Sequence, residues 1–284
     1  MDENCELVVS ALQEDRLLLQ ERFQHYGYLY FKQAAAAAKC EALLEDFYRQ
    51  LSPYIVSDKQ TGLPLCQGAG FAETDAIWDE VYPKMQSLEA FHSFFHQHDM
   101  LDVMGIVAGD EVFVYPMKMA RISTPGMIGH ETPPHQDGHS HNAGPRMAGV
   151  WVALHDIDQR TGRLKLLPGS HKNGIRPVHQ TQGVGGISCE IYPQETCWHV
   201  SDVARGDVIL FHSAMVHKAE PNRSEHSARM SIDTRFCDYG APVFSTNLEP
   251  HHGWRIEGFD WDSIYRNWQR STLQHYWRDY PNLF

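Results

Sequence analysis

Two histidines and one aspartate are the residues of this chain whose types and spacing best suit a chemical task. His135 and Asp137 occur in the segment HETPPHQDGH (130–139), where extended backbone would place both side chains on one face. The segment DVILFHSAMVH (207–217) holds His212 and His217, which would point to opposite faces of an unbroken strand, so only one of them can join the pair. Two imidazoles and one carboxylate with open coordination positions form the facial triad of non-haem Fe(II) oxygenases.

A polar face in the segment SARMSIDTRF (227–236) adds a candidate anion site. Arg229, Ser231, Asp233 and Arg235 alternate with apolar residues and would share one face of a strand. A guanidinium that points into a protein interior needs a partner, because an unpaired buried charge is very costly. A small dicarboxylate that chelates the iron and ion-pairs with Arg229 would supply that partner. A structural salt bridge to a nearby Asp or Glu is the alternative.

The elements that must position these residues are short strands. From Glu111 onward, segments rich in Val, Ile, Phe and Tyr alternate with turns that contain Gly, Pro and Asn. Many short strands with such punctuation are typical of an all-β barrel or jelly roll, and not of a βαβ fold. The sequence therefore predicts a mainly β fold with flanking helices, whose core covers about 111–240.

Helical patterns flank this β region. We expect helices over 6–24, 33–51 and about 76–104, a short strand over 27–31 and a loop over 52–75. Tryptophans at 254, 261, 268 and 277 lie in a helical context and are predicted to pack in the core or on a dimer face rather than to contact a substrate. The predicted arrangement is one domain over 1–284, with an N-terminal helical region (about 1–105), the core and a C-terminal helical tail (about 254–284).

Composition limits the partners and the compartment. The formal charge of −12 over 284 residues argues against nucleic acid or an anionic membrane surface as partner and is compatible with a cationic or zwitterionic small molecule, although such a charge more often serves solubility. The longest apolar stretch is much shorter than the roughly 20 residues of a membrane span, and the acidic start has no secretory signal pattern. Six cysteines without CxxC spacing indicate reduced thiols and a cytoplasmic protein.

These segments, in this order, resemble the phytanoyl-CoA dioxygenase family. The resemblance rests on short motifs spread over about 130 residues, with Gly27-Tyr28 resembling the family's N-terminal region. The motifs are His135-Gln136-Asp137, Trp151-Val152-Ala153-Leu154 with Asp156, Gly162-Arg163-Leu164, Pro168-Gly169-Ser170-His171, Gly206-Asp207, Phe211-His212 before His217, Asn222 and Arg229.

The resemblance implies a double-stranded β-helix (jelly-roll) core, Fe(II), and 2-oxoglutarate and O2 as cosubstrates. It implies that the metal ligands are His135, Asp137 and His217, with no catalytic side chain beyond the metal centre, and that His212 only packs beside them. Arg229 matches the arginine that binds 2-oxoglutarate, and Trp151 matches a position near that cosubstrate. A second group for 2-oxoglutarate would come from Lys118 or Arg121, which face opposite ways on their strand, and the sequence does not choose between them.

The resemblance also narrows the reaction. Asp137 stands where related halogenases have Ala or Gly, which favours hydroxylation, desaturation or ring formation over halogenation. Ala219 stands where some members have a hydroxyl residue. His130, His139 and His141 are expected to form a polar wall, because further ligands would exclude O2.

The substrate class is predicted only coarsely. A small metabolite or natural-product intermediate is favoured over a coenzyme A ester, since there is no Lys/Arg cluster to hold the phosphates. Two other functions stay open: a jelly-roll module that binds a metal or small molecule without catalysis, and a zinc hydrolase using the same ligands.

Overall fold

Two β-sheets face each other at the centre of the computed structural model, which describes residues 3–284. The strands are β1 (Glu3–Cys5), β2 (Val9–Ser10), β3 (Tyr28–Phe31), β4 (Ile55–Ser57), β5 (Pro64–Cys66), β6 (Val112–Ser123), β7 (Met147–Ala153), β8 (Leu164–Leu166), β9 (Val178–Gln180), β10 (Ile187–Cys189), β11 (Cys197–His199), β12 (Val208–His212), β13 (His217–Ala219) and β14 (Arg229–Asp238). The helices are α1 (Arg16–Tyr26), α2 (Ala37–Leu51), α3 (Ala76–Gln86), α4 (Glu89–Phe94), α5 (His98–Ala108), α6 (Asp137–Ser140) and α7 (Trp261–Tyr265), with 3-10 turns at Ser170–Asn173, Ser245–Asn247 and Tyr276–Asp279.

The larger sheet has the order β2-β3-β12-β7-β14-β6 and the smaller one β1-β11-β8-β13. The central strands of the larger sheet are antiparallel, and each is buried on both faces. Helices α1–α5 cover the outer face, where Val150, Val152 and Ile232 pack among helical side chains. The inner face meets the smaller sheet across Trp151, Phe211 and other apolar residues. This is the predicted jelly-roll core with flanking helices.

Register decides which side chains of β14 and β6 reach the inner face. Ser231 lies opposite Arg121 on β6, and Asp233 lies opposite Trp151 on β7. Residues directly opposite each other in an antiparallel pair share a face. Arg121 therefore projects between the sheets. Lys118 has the opposite parity on the same strand, so its side chain projects toward the helices.

The first helix begins later in the sequence than predicted. Residues 3–5 and 9–10 form strands, and α1 begins only at Arg16, after Asp15 accepts a hydrogen bond from the Leu17 amide. Strands β1 and β2 pair in parallel with β11 and β3, so their partners lie outside the window in which periodicity is read. Gly27, at φ 83°, ends α1 in the left-handed conformation that glycine tolerates.

Other predicted elements need smaller corrections. The loop over 52–75 contains the β4–β5 hairpin, the patch at 76–104 divides into α3, α4 and α5, and the tail has only short helical turns. Trp261 and Trp277 pack in a second apolar cluster on Phe113, whereas Trp254 is 68% exposed. Cys5 and Cys197 form a disulfide between β1 and β11, contrary to the expectation of reduced thiols, and the other cysteines are free and buried.

None of the helices within residues 3–284 combines the length and the apolar character that crossing a bilayer requires.

Candidate metal centre

His135, Asp137 and His217 converge at one end of the space between the sheets. Nε2 of His135 lies 3.7 Å, and Nε2 of His217 lies 3.8 Å, from Oδ1 of Asp137. One ligand atom from each residue falls within 4.8 Å of the others. Three such atoms can bind one metal ion on one side and leave the other side open.

The backbone explains how the two histidines meet. His135 and His217 form an isolated antiparallel bridge, with each amide donating to the carbonyl of the other at 3.0 Å. Asp137 does not continue this extended segment, because it is the first residue of α6. The expectation that His135 and Asp137 share a strand face is therefore wrong in its geometry, although the two side chains do meet.

The segment 207–217 is likewise broken. It forms β12 up to His212, turns, and begins β13 at His217 in the other sheet. His212 lies outside the triad, where its Nδ1 accepts a hydrogen bond from the Ala214 amide and its ring packs near Phe23.

The two candidate histidine ligands are oriented by backbone carbonyls. Nδ1 of His135 lies 2.9 Å from the Pro133 carbonyl, and Nδ1 of His217 lies 3.1 Å from the Met215 carbonyl. Because a carbonyl only accepts, each Nδ1 carries the proton and each Nε2 keeps a lone pair for a metal. Burial also lowers the pKa of both imidazoles, and that of His135 falls to about 3. Both rings are therefore neutral near pH 7.

Arg235 holds the Asp137 carboxylate at both oxygens. Its Nε lies 2.7 Å from Oδ2, and a terminal nitrogen donates to Oδ1 at 2.9 Å. Burial opposes ionisation of Asp137, but Arg235 and then the two histidines outweigh it and lower the pKa of this carboxyl well below its usual range. The carboxylate is therefore ionised and fixed in orientation before any metal binds.

A line of alternating charges continues from this pair. Arg235 donates to Oδ2 of Asp233 at 2.6 Å, and Nε of Arg121 donates to Oδ1 of Asp233 at 2.9 Å. Arg121 then approaches Glu73 at 4.0 Å. Each of these two arginines has carboxylate partners inside the protein.

Arg229 differs, although it is 7% exposed and lies on the same strand. Within residues 3–284, its side chain makes one hydrogen bond, a long donation to Ser231 Oγ at 3.4 Å, and its Nε has no hydrogen-bond partner. No ion pair of Arg229 occurs among the carboxylates of residues 3–284. Burial and the nearby Arg121 lower the pKa of Arg229 to about 10, so the guanidinium is charged at pH 7. A buried guanidinium without an ion pair is suited to bind an anion from outside the chain.

A cavity joins Arg229 to the metal centre. Its lining includes His135, His217, Arg229 and Trp151. The remaining lining residues are Arg121, Thr132, Leu164, Phe211, Lys218, Ala219, Asp233 and Arg235. Two of the three candidate metal ligands and the Arg229 guanidinium therefore line one cavity.

The remaining predicted residues divide between this site and other places. Trp151 lines the cavity and also packs in the core between the sheets. Lys118 lies on the opposite face of β6, where its Nζ donates to the Tyr115 carbonyl at 3.0 Å and burial lowers its pKa to about 7. Of the three flanking histidines, His141 is buried against a neighbouring cavity, His139 is exposed, and His130 lines a third pocket.

Sequence reasoning missed the roles of Arg235, Asp233 and Glu73. The alternation at 229–235 placed Asp233 and Arg235 on the right face, but Glu73 lies in a segment predicted as plain loop. Glu73 and Arg121 are far apart in the sequence, so no local sequence pattern predicts that their side chains approach each other.

One protein family and several curated relatives match the sequence of this chain. The profile of the family described as phytanoyl-CoA dioxygenase (PhyH) matches residues 23–231. The chain is 28% identical over 239 residues to 1-deoxypentalenic acid 11-beta-hydroxylase from Streptomyces exfoliatus, covering 80% of this chain and 82% of that protein. It is 26% identical to peroxisomal phytanoyl-CoA dioxygenase from Bos taurus, covering 78% and 69%.

Solved structures share the fold at lower identity. The non-heme monooxygenase ThoJ matches with a TM-score of 0.60 and 21% identity over 79% of each chain. The epimerase SnoN, solved with Fe3+, alpha ketoglutarate and nogalamycin RO, matches with a TM-score of 0.58 and 18% identity over 80% of this chain and 85% of that one.

Proposed function

Because the chain belongs to the phytanoyl-CoA dioxygenase family of Fe(II)- and 2-oxoglutarate-dependent oxygenases, we propose that His135, Asp137 and His217 are its iron ligands and that Arg229 binds 2-oxoglutarate. The neutral Nε2 atoms and the ionised carboxylate are a suitable donor set for Fe(II) with open positions. Bound iron, with O2 and 2-oxoglutarate, supplies the oxidising power to remove hydrogen from an unactivated C–H bond, with release of succinate and CO2.

The observation that carries the proposal is the buried, unpaired Arg229 that shares a cavity with the metal centre. The guanidinium fork suits the carboxylate of 2-oxoglutarate farthest from the iron, because both groups are planar and can form two parallel hydrogen bonds. Trp151, Phe211 and Leu164 form apolar walls of this cavity and would exclude water around the cosubstrate. Arg121 lines the same cavity and Lys118 does not, so Arg121 is the second cosubstrate residue in this proposal, adding a contact to the ion pair that it already makes with Asp233.

Asp137 and Arg235 act as one unit in this scheme. Arg235 would hold the carboxylate by its ion pair with Oδ2 and its hydrogen bond to Oδ1, while Oδ1 also faces the two histidines and the metal. The presence of Asp137 favours hydroxylation or another oxidative outcome over halogenation. The substrate proposed is a small metabolite or natural-product intermediate, and we propose that the chain forms a single oxygenase domain.

The test is anaerobic loading of the purified protein with Fe(II), followed by 2-oxoglutarate. We expect a visible metal-to-ligand charge-transfer absorption that reports chelation of the oxo-acid. Arg229→Met should need a much higher 2-oxoglutarate concentration for the same absorption, whereas the exposed His139→Ala should behave as wild type. Absence of the band in wild type with iron bound would contradict the proposal, as would turnover that needs neither O2 nor an oxo-acid.

A further inference from the structure

A second cavity, of about 340 Å³, opens on the other side of His135 and Asp137. Its size lies within the range of small-molecule sites. Apolar side chains form much of its lining: Met117, Met119, Val184, Ile187 and the exposed Trp254. Because it touches both candidate ligands, a molecule held here would present its C–H bonds to the metal.

One side chain of this cavity, His252, makes no hydrogen bond at either ring nitrogen within the described residues. It is 7% exposed. A buried imidazole without hydrogen bonds is unusual, because leaving a donor and an acceptor unsatisfied costs free energy. The backbone of His252 is also left-handed, at φ 68°. Such a conformation is costly for a residue other than glycine and is often retained for function.

The surrounding wall fixes the His252 ring. The ring packs edge-on against Trp78 and Tyr82, with centroids 6.0 and 5.1 Å away. The neighbouring His251 shares a hydrogen bond with the Tyr82 hydroxyl. Arg255 donates to the Glu73 backbone carbonyl, which fastens the loop of Glu73 to that of His252. The two polar side chains are therefore held together on one wall.

Glu73 completes a small polar pair. Its Oε2 lies 3.4 Å from Nε2 of His252, and both residues line the cavity. A hydroxyl group that lies beside the pair and bridges it could donate to the Glu73 carboxylate and accept from a His252 N–H. A hydroxyl has both capacities, so it would satisfy the pair without adding charge.

The charges in this cavity argue against an acidic substrate. Its arginines, Arg121 and Arg235, are already engaged by Asp233, Asp137 and Glu73. No cation comparable to Arg229 is left without a carboxylate among the lining residues that the structure describes. An ammonium is not required either, because Arg121 already lies 4.0 Å from Glu73.

We propose that His252 and Glu73 recognise a hydroxyl group on an otherwise apolar, non-acidic substrate, and so determine the specificity of the oxygenase. This inference rests on the proposed function. It names a substrate class, a hydroxylated and otherwise apolar molecule that contacts the methionines and Trp254, and it assigns His252 and Glu73 as substrate-binding residues.

The test uses four bicyclic probes with one carbon skeleton: borneol, camphor, bornylamine and bornane-2-carboxylic acid. Each is titrated calorimetrically, under nitrogen, into protein loaded with Fe(II) and 2-oxoglutarate. Borneol should bind about tenfold tighter than camphor, which cannot donate to Glu73, and tighter than the amine and the acid. A tenfold difference corresponds to about 1.4 kcal/mol.

Variants at His252 separate hydrogen bonding to the substrate from packing of the ring in the cavity wall. His252→Phe keeps an aromatic ring against Trp78 and Tyr82 but removes the donor to the oxygen of both probes, so it should weaken borneol and camphor by a similar factor while the preference that comes from Glu73 remains. His252→Asn should keep part of the affinity, because asparagine has polar groups and tolerates a left-handed backbone. His139→Phe, at an exposed position outside this cavity, is the matched control and should retain the full affinity for both probes.

Three results would overturn the inference: equal binding of borneol and camphor to wild type, tightest binding of the acid or the amine, or wild-type affinity for both probes in His252→Phe. The charge-transfer absorption recorded on the same samples distinguishes the two proposals. A charge-transfer band without a preference for borneol would contradict only the specificity inference. A preference for borneol without the band would contradict the proposed oxygenase site but not the assignment of His252 and Glu73 to substrate binding.

Discussion

Arg229 and Arg235 project from the same face of β14 and are both buried, yet their surroundings differ. Arg235 has two carboxylates within 2.9 Å, those of Asp137 and Asp233. Arg229 has none in the part of the chain that the structure describes. The protein balances one guanidinium internally and leaves the other for a ligand.

This difference separates a positioning role from a binding role. A buried ion pair contributes little net stability, but removal of one partner is strongly destabilising, because the other charge stays buried. Arg235 is therefore expected to matter for folding and for the orientation of Asp137. Arg229 should matter for the cosubstrate and little for folding.

The largest effect is expected at the metal ligands. His135→Ala and Asp137→Ala should each weaken Fe(II) binding more than about a hundredfold, since loss of groups that merely orient a ligand already costs about 10–100-fold. Only Asp137→Ala should also destabilise the metal-free protein, because it removes a partner of Arg235. Iron content after dialysis and urea unfolding measure the two effects, and wild-type iron content in either variant would show that the triad is misassigned.

The two arginines can be compared directly by replacing each with methionine. Arg235→Met should lower the free energy of unfolding of the metal-free protein by about 3–5 kcal/mol, because Asp137 loses its compensating charge. Arg229→Met should leave stability unchanged or raise it, since an unpaired buried charge is removed. Equal losses in urea denaturation would mean that Arg229 has a structural ion pair after all.

A gentler replacement sharpens the binding role. Arg229→Lys retains the charge but loses the bidentate fork, so the concentration of 2-oxoglutarate needed for half-maximal charge-transfer absorption should rise about 10- to 100-fold. The exposed Arg223→Lys is the control and should not change it. If Arg229→Lys titrates as wild type does, the cosubstrate carboxylate binds elsewhere.

The smallest effect concerns Lys118, a third buried cation that touches neither cavity. Burial lowers its pKa to about 7, below the usual value of 10.5. Between these values the unfolded chain binds the proton and the folded protein does not, so stability rises as pH increases from about 7 and falls as pH decreases toward 7. Lys118→Met should remove this gain, which amounts to up to about 2 kcal/mol between pH 7.5 and 9. Identical pH dependence of urea unfolding in both proteins would contradict this placement of Lys118.

Much of the site could be predicted from local patterns. The alternation at 229–235 correctly put Arg229, Asp233 and Arg235 on one face, because side-chain direction in a strand follows from sequence parity alone. The family prediction is confirmed by the profile match over residues 23–231. The predictions for the metal ligands and for Arg229 still await the experiments above.

Predictions of a shared strand face were wrong where the backbone does not form a strand. Asp137 begins α6, and β12 and β13 belong to different sheets, so neither the His135/Asp137 nor the His212/His217 spacing could be judged by strand geometry. The disulfide between Cys5 and Cys197 was missed for a related reason, since it joins strands separated by 192 residues.

The sequence alone determined the residue types for a metal centre, the mainly β core and the face of β14 that carries the arginines. Only the tertiary structure decided which arginine is paired and which is free, because Asp137, a partner of Arg235, comes from a segment far from β14 along the chain. It also brought Glu73 and His252 together on one cavity wall. Charge pairing and cavity walls depend on distances across the fold, and a periodic pattern within one segment carries no information about them.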